Sequence, residues 1–127
     1  MMPLGLKPLG VGIDVLSWKR TQRFLASHSF LLIDRLLAPS EQTLLKNAAD
    51  PVPVFARLFT AKEAVMKALG GSWADVGRFQ QITISLEGKN RFTMEAPSCK
   101  DIKAEGSFFE TPSGIGARLV LYGTGET

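Results

Sequence analysis

The sequence predicts a protein of the α+β class, in which one strand and several helices precede a group of antiparallel strands. Apolar residues alternate with other residues over positions 9–15, as in a β-strand. Over positions 54–70 they recur every three or four residues, as on the buried face of a helix. The strand alternation then returns in four segments, 81–87, 91–95, 102–110 and 117–122. Helices followed by a run of strands are typical of this class.

Size and composition indicate a single folded domain that covers residues 1–127. The chain is 45% hydrophobic and 21% charged, which is ordinary for a globular protein. A chain of 127 residues buries roughly two-thirds of the surface that its unfolded form exposes. Its net charge of +3 is compatible with an anionic partner. Because no basic run or basic-aromatic stripe occurs, we expect no nucleic-acid partner.

Cysteine content and hydrophobic runs indicate a cytoplasmic protein. The single cysteine, Cys99, excludes an internal disulfide, and a single histidine argues against a zinc site. No apolar run approaches the ~20 residues of a membrane span, so we expect no membrane partner. Residues 1–8 carry one lysine and no long apolar stretch, which argues against a secretory signal.

The first predicted strand, 9–15, presents Asp14 on the face opposite its apolar residues. Gly10 and Gly12 share the face of Asp14 and would leave room for a bulky group beside its carboxylate. Alternatively, the strand closes into a turn and Asp14 caps the helix that follows. The local sequence allows both interpretations.

A helix is predicted from Ser17 to about Ser27, with Ser17 as its N-cap. Its outer side carries three basic residues close together, Lys19, Arg20 and Arg23. Basic residues on a surface helix are commonly just solvated, but a cluster of three could also contact an acidic protein.

Two short segments connect this helix to the central one. Residues 30–37 are predicted to form an apolar-rich turn or a short helix. The segment 39–41 contains proline, serine and glutamate and is a helix-start signature. The helix over 43–49 is expected to end near Asp50, because the prolines that follow cannot continue it.

The central helix, 54–70, carries a pair of opposite charges at the border of its apolar face. Glu63 and Lys67 are four residues apart and therefore lie on the same side of the helix. One interpretation is a helix-surface ion pair, which adds only ~0.2–0.5 kcal/mol. Gly70 and Gly71 are expected to end the helix.

The later strands begin with a hairpin formed by 81–87 and 91–95, with a turn at 88–90. A proline-serine pair at 97–98 interrupts the alternation. The last two strands are predicted to be joined by a loop over 112–116.

Four motifs along the chain together resemble a known enzyme family. In order, they are Gly12-Ile13-Asp14 with Arg20, Leu37 to Glu41, Phe59 to Ala68, and Gly88-Lys89 in a strand turn. Their order and spacing, and the chain length, resemble the holo-acyl carrier protein synthases, the short group of 4′-phosphopantetheinyl transferases. The similarity runs from about residue 9 to residue 92.

The resemblance implies a reaction and a metal ion. This family transfers phosphopantetheine from coenzyme A to a serine hydroxyl of an acyl carrier protein and releases 3′,5′-ADP. The resemblance assigns Asp14 and Glu63 as ligands of Mg²⁺, a hard cation that takes carboxylate, phosphate and water oxygens. Glu63, or a water that it orients, would also help to remove the serine proton. Lys67 would contact the phosphate that is transferred or left behind.

The resemblance also implies residues that bind coenzyme A. They comprise basic side chains near the phosphates and a small-residue segment whose backbone approaches the ligand: Lys62, Lys67, Gly70, Gly71, Ser72 and Lys89. Lys19, Arg20 and Arg23 fall on the helix with which the family binds its acidic carrier protein. Members of this size are typically homotrimers with active sites between neighbouring subunits.

The sequence departs from the family pattern at several positions. Leu58 stands where the family usually has arginine, with Arg57 beside it, and Asn90 replaces the proline after Lys89. The segment 105–110 lacks the family's later histidines. Two alternatives therefore remain open: a non-catalytic relative that binds a carrier protein or another acidic partner, and an adaptor for acidic partners that is unrelated to the family.

Overall fold

The computed structural model describes residues 7–70 and 80–123, which form helices packed on one sheet. The strands are β1 (Lys7–Ser17), β2 (Thr83–Glu87), β3 (Arg91–Glu95), β4 (Ile102–Thr111) and β5 (Gly114–Gly123). The helices are α1 (Trp18–Ser27), α2 (Phe30–Arg35), α3 (Pro39–Lys46) and α4 (Pro51–Ala68), with a 3₁₀ turn at Pro97–Cys99. The predicted α+β class is confirmed.

The sheet is antiparallel, and its strands lie in the order β1-β5-β4-β3-β2. The first strand pairs with the last, from Lys7 opposite Gly123 to Ser17 opposite Gly114. The predicted loop over 112–116 is wrong in length, because β5 begins at Gly114 and only a short turn remains. The edge strand β1 is therefore held beside β5 along its whole length.

The helix boundaries differ from the prediction around the proline pair. The long helix α4 begins at Pro51, not at 54, because Asp50 Oδ1 accepts a hydrogen bond from Val52 N at 3.1 Å. Proline is tolerated in a first turn, where backbone N–H groups have no helical partner. The preceding helix ends at Lys46, short of the predicted 43–49. Among the described segments, no helix combines the length and the hydropathy required to cross a membrane.

The long helix α4 packs directly on β1 at two glycines. A Cβ at Gly12 would lie 1.9 Å from the carbonyl oxygen of Ala64, and one at Gly10 would lie 2.3 Å from that of Ala68. The space beside these glycines is thus filled by the helix backbone. The bulky group for which these glycines leave room is therefore α4 itself.

The apolar residues of β1 lie on the sheet face opposite α4. Leu9, Val11, Ile13 and Val15 are 56–72% exposed. An exposed row of this kind on an edge strand is a typical contact surface for another protein chain.

Candidate active site

The site lies where the end of β1 passes the middle of α4. Asp14 is near the end of the strand, and Glu63 and Lys67 project from one side of the helix. The carboxyl groups of Asp14 and Glu63 are near enough that Asp14 raises the pKa of Glu63. The Lys67 Nζ atom is 2.7 Å from Asp14 Oδ1 and 3.2 Å from the carbonyl oxygen of Ile13. The fold therefore brings two carboxyl groups and an ammonium group together from distant parts of the chain.

The environment of Glu63 holds a proton that an isolated glutamate would lose. Burial raises the pKa of Glu63 to about 8, and the hydrogen bond and negative charge of Asp14 act in the same direction. The positive charges of Lys67 and Arg20 oppose this increase of the pKa. A further cation between the two carboxyl groups would favour the ionised form of Glu63.

The donor set of this site fits a Mg²⁺ ion that is shared with a substrate. Mg²⁺ is commonly held by one or two carboxylates, with phosphate oxygens and water completing its shell. Asp14 and Glu63 provide such a pair of carboxylates. Over residues 7–70 and 80–123, no group of three or more His, Cys, Asp or Glu side chains is arranged to hold a metal ion. Two carboxylates would leave most coordination positions of a bound Mg²⁺ ion to phosphate and water oxygens.

The Lys67 ammonium group is accessible from solvent, whereas the Asp14 carboxylate is mostly covered. Their side chains are 45% and 11% exposed, respectively. Lys67 can therefore contact a bound anion while it remains next to Asp14. This position is compatible with the predicted phosphate contact.

Lys62 does not lie in the site. Its side chain is 0% exposed, forms an ion pair with Glu41 and donates a hydrogen bond to the Leu36 carbonyl oxygen at 2.9 Å. Because consecutive helical residues point about 100° apart, Lys62 points into the protein while Glu63 faces Asp14. The expectation that Lys62 binds coenzyme A phosphates is wrong for this structure. Sequence analysis did not identify Glu41 as its partner.

The basic side of α1 adjoins the site. Ser17 caps this helix as predicted, since its Oγ atom accepts a hydrogen bond from Arg20 N at 3.0 Å. Lys19, Arg20 and Arg23 are all exposed, and the charge of Arg20 acts on Glu63. A partner that contacts this side of α1 would therefore lie next to the paired carboxyl groups.

Of the other predicted ligand-binding positions that the structure describes, Lys89 is not brought to Asp14 within one chain. Gly70 follows α4 with φ +69°, so it ends the helix as expected, while Gly71 and Ser72 lie outside the described residues. Lys89 is exposed in the β2–β3 turn. Since β3 is three strand spacings from β1, the turn that carries Lys89 begins about 14 Å from β1 across the sheet.

Arg57 does not take the place of the family arginine in this site. Its Nη2 atom is 2.8 Å from Glu110 Oε1, and its guanidinium lies 5.9 Å from the centre of the Phe108 ring. It therefore joins α4 to β4. Leu58, at the position of the family arginine, is 0% exposed in the core.

Sequence and structure comparisons identify the family. The sequence profile of the 4'-phosphopantetheinyl transferase superfamily matches residues 10–114. A holo-[acyl-carrier-protein] synthase of Ruthia magnifica subsp. Calyptogena magnifica is 37% identical over 85 residues, which are 65% of this chain and 67% of that protein. One of Vesicomyosocius okutanii subsp. Calyptogena okutanii is 34% identical over 92 residues, 71% of this chain and 72% of that protein.

Solved structures agree with this assignment. The crystal structure of a holo-[acyl-carrier-protein] synthase from Neisseria meningitidis has a TM-score of 0.75 and 25% identity, covering 91% of this chain and 98% of that one. The Helicobacter pylori enzyme in complex with coenzyme A has a TM-score of 0.70 and 27% identity, and the match covers 87% of this chain and 98% of that one. The family predicted from the sequence motifs is thus confirmed: the chain belongs to the 4'-phosphopantetheinyl transferase superfamily.

Proposed function

We propose that this chain is a Mg²⁺-dependent holo-acyl carrier protein synthase that uses coenzyme A as donor. It would transfer 4'-phosphopantetheine to a serine of an apo acyl carrier protein in the cytoplasm, as part of fatty acid synthesis. The observation that carries the proposal is the convergence of Asp14, Glu63 and Lys67 at one point, where Lys67 is accessible from solvent. The relatives named holo-[acyl-carrier-protein] synthase support the substrate class.

The reaction requires neutralisation of charge at a diphosphate. The serine oxygen forms a bond to the phosphorus of phosphopantetheine, the bond from that phosphorus to the bridging oxygen breaks, and 3',5'-ADP leaves with the electron pair. Mg²⁺, when bound by Asp14 and Glu63, supplies electrostatic stabilisation of the phosphate oxygens. Lys67 adds a second positive charge on the transferred or departing phosphate. The serine proton passes to Glu63 or to a water that Glu63 orients.

The basic side of α1 is the proposed docking surface for the carrier protein. Lys19, Arg20 and Arg23 offer exposed positive charge beside the site, which suits an acidic partner that must present its serine to Glu63. Charges at the rim of an interface mainly increase the rate of encounter and set specificity.

We further propose that the chain functions as a homotrimer. The exposed apolar row of β1, Leu9, Val11, Ile13 and Val15, supports self-association. In such an assembly Lys89 would contact coenzyme A that is bound at Asp14 of a neighbouring subunit. This arrangement would reconcile the predicted role of Lys89 with its distance from Asp14 within one chain.

The test is incubation of the chain with coenzyme A, Mg²⁺ and apo acyl carrier proteins, followed by intact mass measurement of the carrier. We expect the carrier to gain one phosphopantetheine, and Glu63→Gln and Asp14→Asn each to abolish most of this gain while the protein stays folded. Glu95→Gln, an exposed carboxylate on β3, is the matched control and should be active. If no carrier gains mass, the non-catalytic alternative is favoured. Full activity of Glu63→Gln would show that the ligand assignment is wrong.

A further inference from the structure

A buried ion pair connects four parts of the fold behind the candidate active site. Lys62 on α4 pairs with Glu41 on α3, and their side chains are 0% and 1% exposed. Glu41 Oε1 accepts a hydrogen bond from Ala38 N at 2.8 Å, and its Oε2 accepts one from Ile84 N on β2 at 2.6 Å. Lys62 also donates to the Leu36 carbonyl oxygen at the end of α2. One carboxylate and one ammonium group thus join α2, α3, α4 and β2.

Stability alone does not explain this pair. Removing two charges from water carries a large penalty, and apolar side chains of similar volume are often at least as stable in such places. What a charged pair provides, and an apolar pair does not, is direction, because its hydrogen bonds fix the position of each side chain. The apolar residues that α4 buries nearby, among them Leu58, Val65 and Met66, pack without the directional hydrogen bonds that this pair makes.

The rotation of α4 matters directly for the site. Lys62 and Glu63 are adjacent on the helix, so the direction of one determines that of the other. The helix touches β1 at Gly12 without intervening side chains, and a shift of α4 therefore changes the separation of Glu63 and Asp14. A displacement of about 1 Å in a catalytic arrangement can reduce the rate about a hundredfold.

We propose that Glu41 and Lys62 are positioning residues, which fix the rotation of α4 so that Glu63 and Lys67 face Asp14. The proposal rests on the transferase function proposed above. It assigns a purpose to the buried lysine that sequence analysis had placed at the phosphates. Both side chains are buried, so the pair would act through the position of α4.

The decisive experiment replaces both charges by apolar residues of similar size, Glu41→Leu with Lys62→Met. We expect a folded protein whose thermal unfolding midpoint stays within about 5 °C of the original. Its kcat should fall about tenfold to a hundredfold, whereas the KM for the carrier protein, which docks on α1, should change less than about threefold. Unchanged kcat in this folded variant would overturn the proposal.

Controls separate positioning from destabilisation and from failure of the proposed function. Leu58→Ala, also fully buried on α4, should lower the unfolding midpoint by about 10 °C but leave kcat of the folded protein unchanged. Glu41→Gln keeps the side-chain shape and replaces the double variant in this test if the double variant does not fold. It should reduce kcat, and an unchanged kcat would refute the proposal. If the original chain shows no transfer, the crystal structure of the double variant decides: retention of the Asp14–Glu63 contact would overturn positioning, and its loss would support it.

Discussion

The apparent affinity for Mg²⁺ should depend steeply on pH, because metal binding must displace the proton of Glu63. With a pKa of about 8, Glu63 is mostly protonated near neutral pH in the metal-free protein. One proton then leaves for each ion bound, so the dissociation constant should fall about tenfold per pH unit from about pH 6 to pH 8 and level off above.

Calorimetric titration with Mg²⁺ at about pH 6, 7, 8 and 9 measures this dependence, and repetition in buffers of different ionisation enthalpy counts the released protons. We expect about one proton per ion near pH 7. In Glu63→Gln, both the proton release and most of the affinity should disappear. Affinity that is constant from about pH 6 to pH 8 would refute the proposed coupling of Glu63 to the metal.

Four further changes test separate parts of the structure. Since the folded pKa of Glu63 is raised, the native state binds more protons than the unfolded state between pH 4.5 and about 8. The stability of the metal-free protein should therefore decrease as pH rises through this window. Thermal unfolding at each pH should show a smaller decrease for Glu63→Gln. An equal dependence on pH in the two proteins would contradict the raised pKa of Glu63. Arg20→Glu should raise the KM for the carrier protein about tenfold with little change for coenzyme A, and an unchanged carrier KM would exclude α1 as the docking surface. Gly12→Ala should destabilise the fold by about 3 kcal/mol or more, because its Cβ would overlap the Ala64 carbonyl; denaturant unfolding with an unchanged midpoint would show that α4 is not packed as described. Val11→Glu should dissociate the proposed trimer by placing charge in the apolar row. Sedimentation that shows the same assembly as the original chain would exclude this face.

Local periodicity was sufficient to predict the strands and the central helix. Side chains alternate along a strand and repeat every three to four residues along a helix, so the pattern is visible within one segment. The spacing of Glu63 and Lys67 likewise placed both on one side of α4. The motifs, taken together, also led to the correct family.

The pairings between distant segments could not be predicted from local patterns. Nothing near Lys62 indicates that its ammonium group is buried, because its partner Glu41 is on another helix. Gly10 and Gly12 suggest a close approach, but only the packing shows that the approaching group is α4. The apolar face of β1 is exposed rather than buried, since the residues that share the face of Asp14 are the ones that contact α4.

The central claim is that Asp14 and Glu63 hold one divalent cation against the diphosphate of coenzyme A. Crystals grown with Mn²⁺ and coenzyme A would locate the ion by its anomalous scattering. We predict a single strong peak that contacts carboxylate oxygens of both residues and phosphate oxygens of the ligand. A peak that lies away from either carboxylate, with coenzyme A bound, would contradict the account.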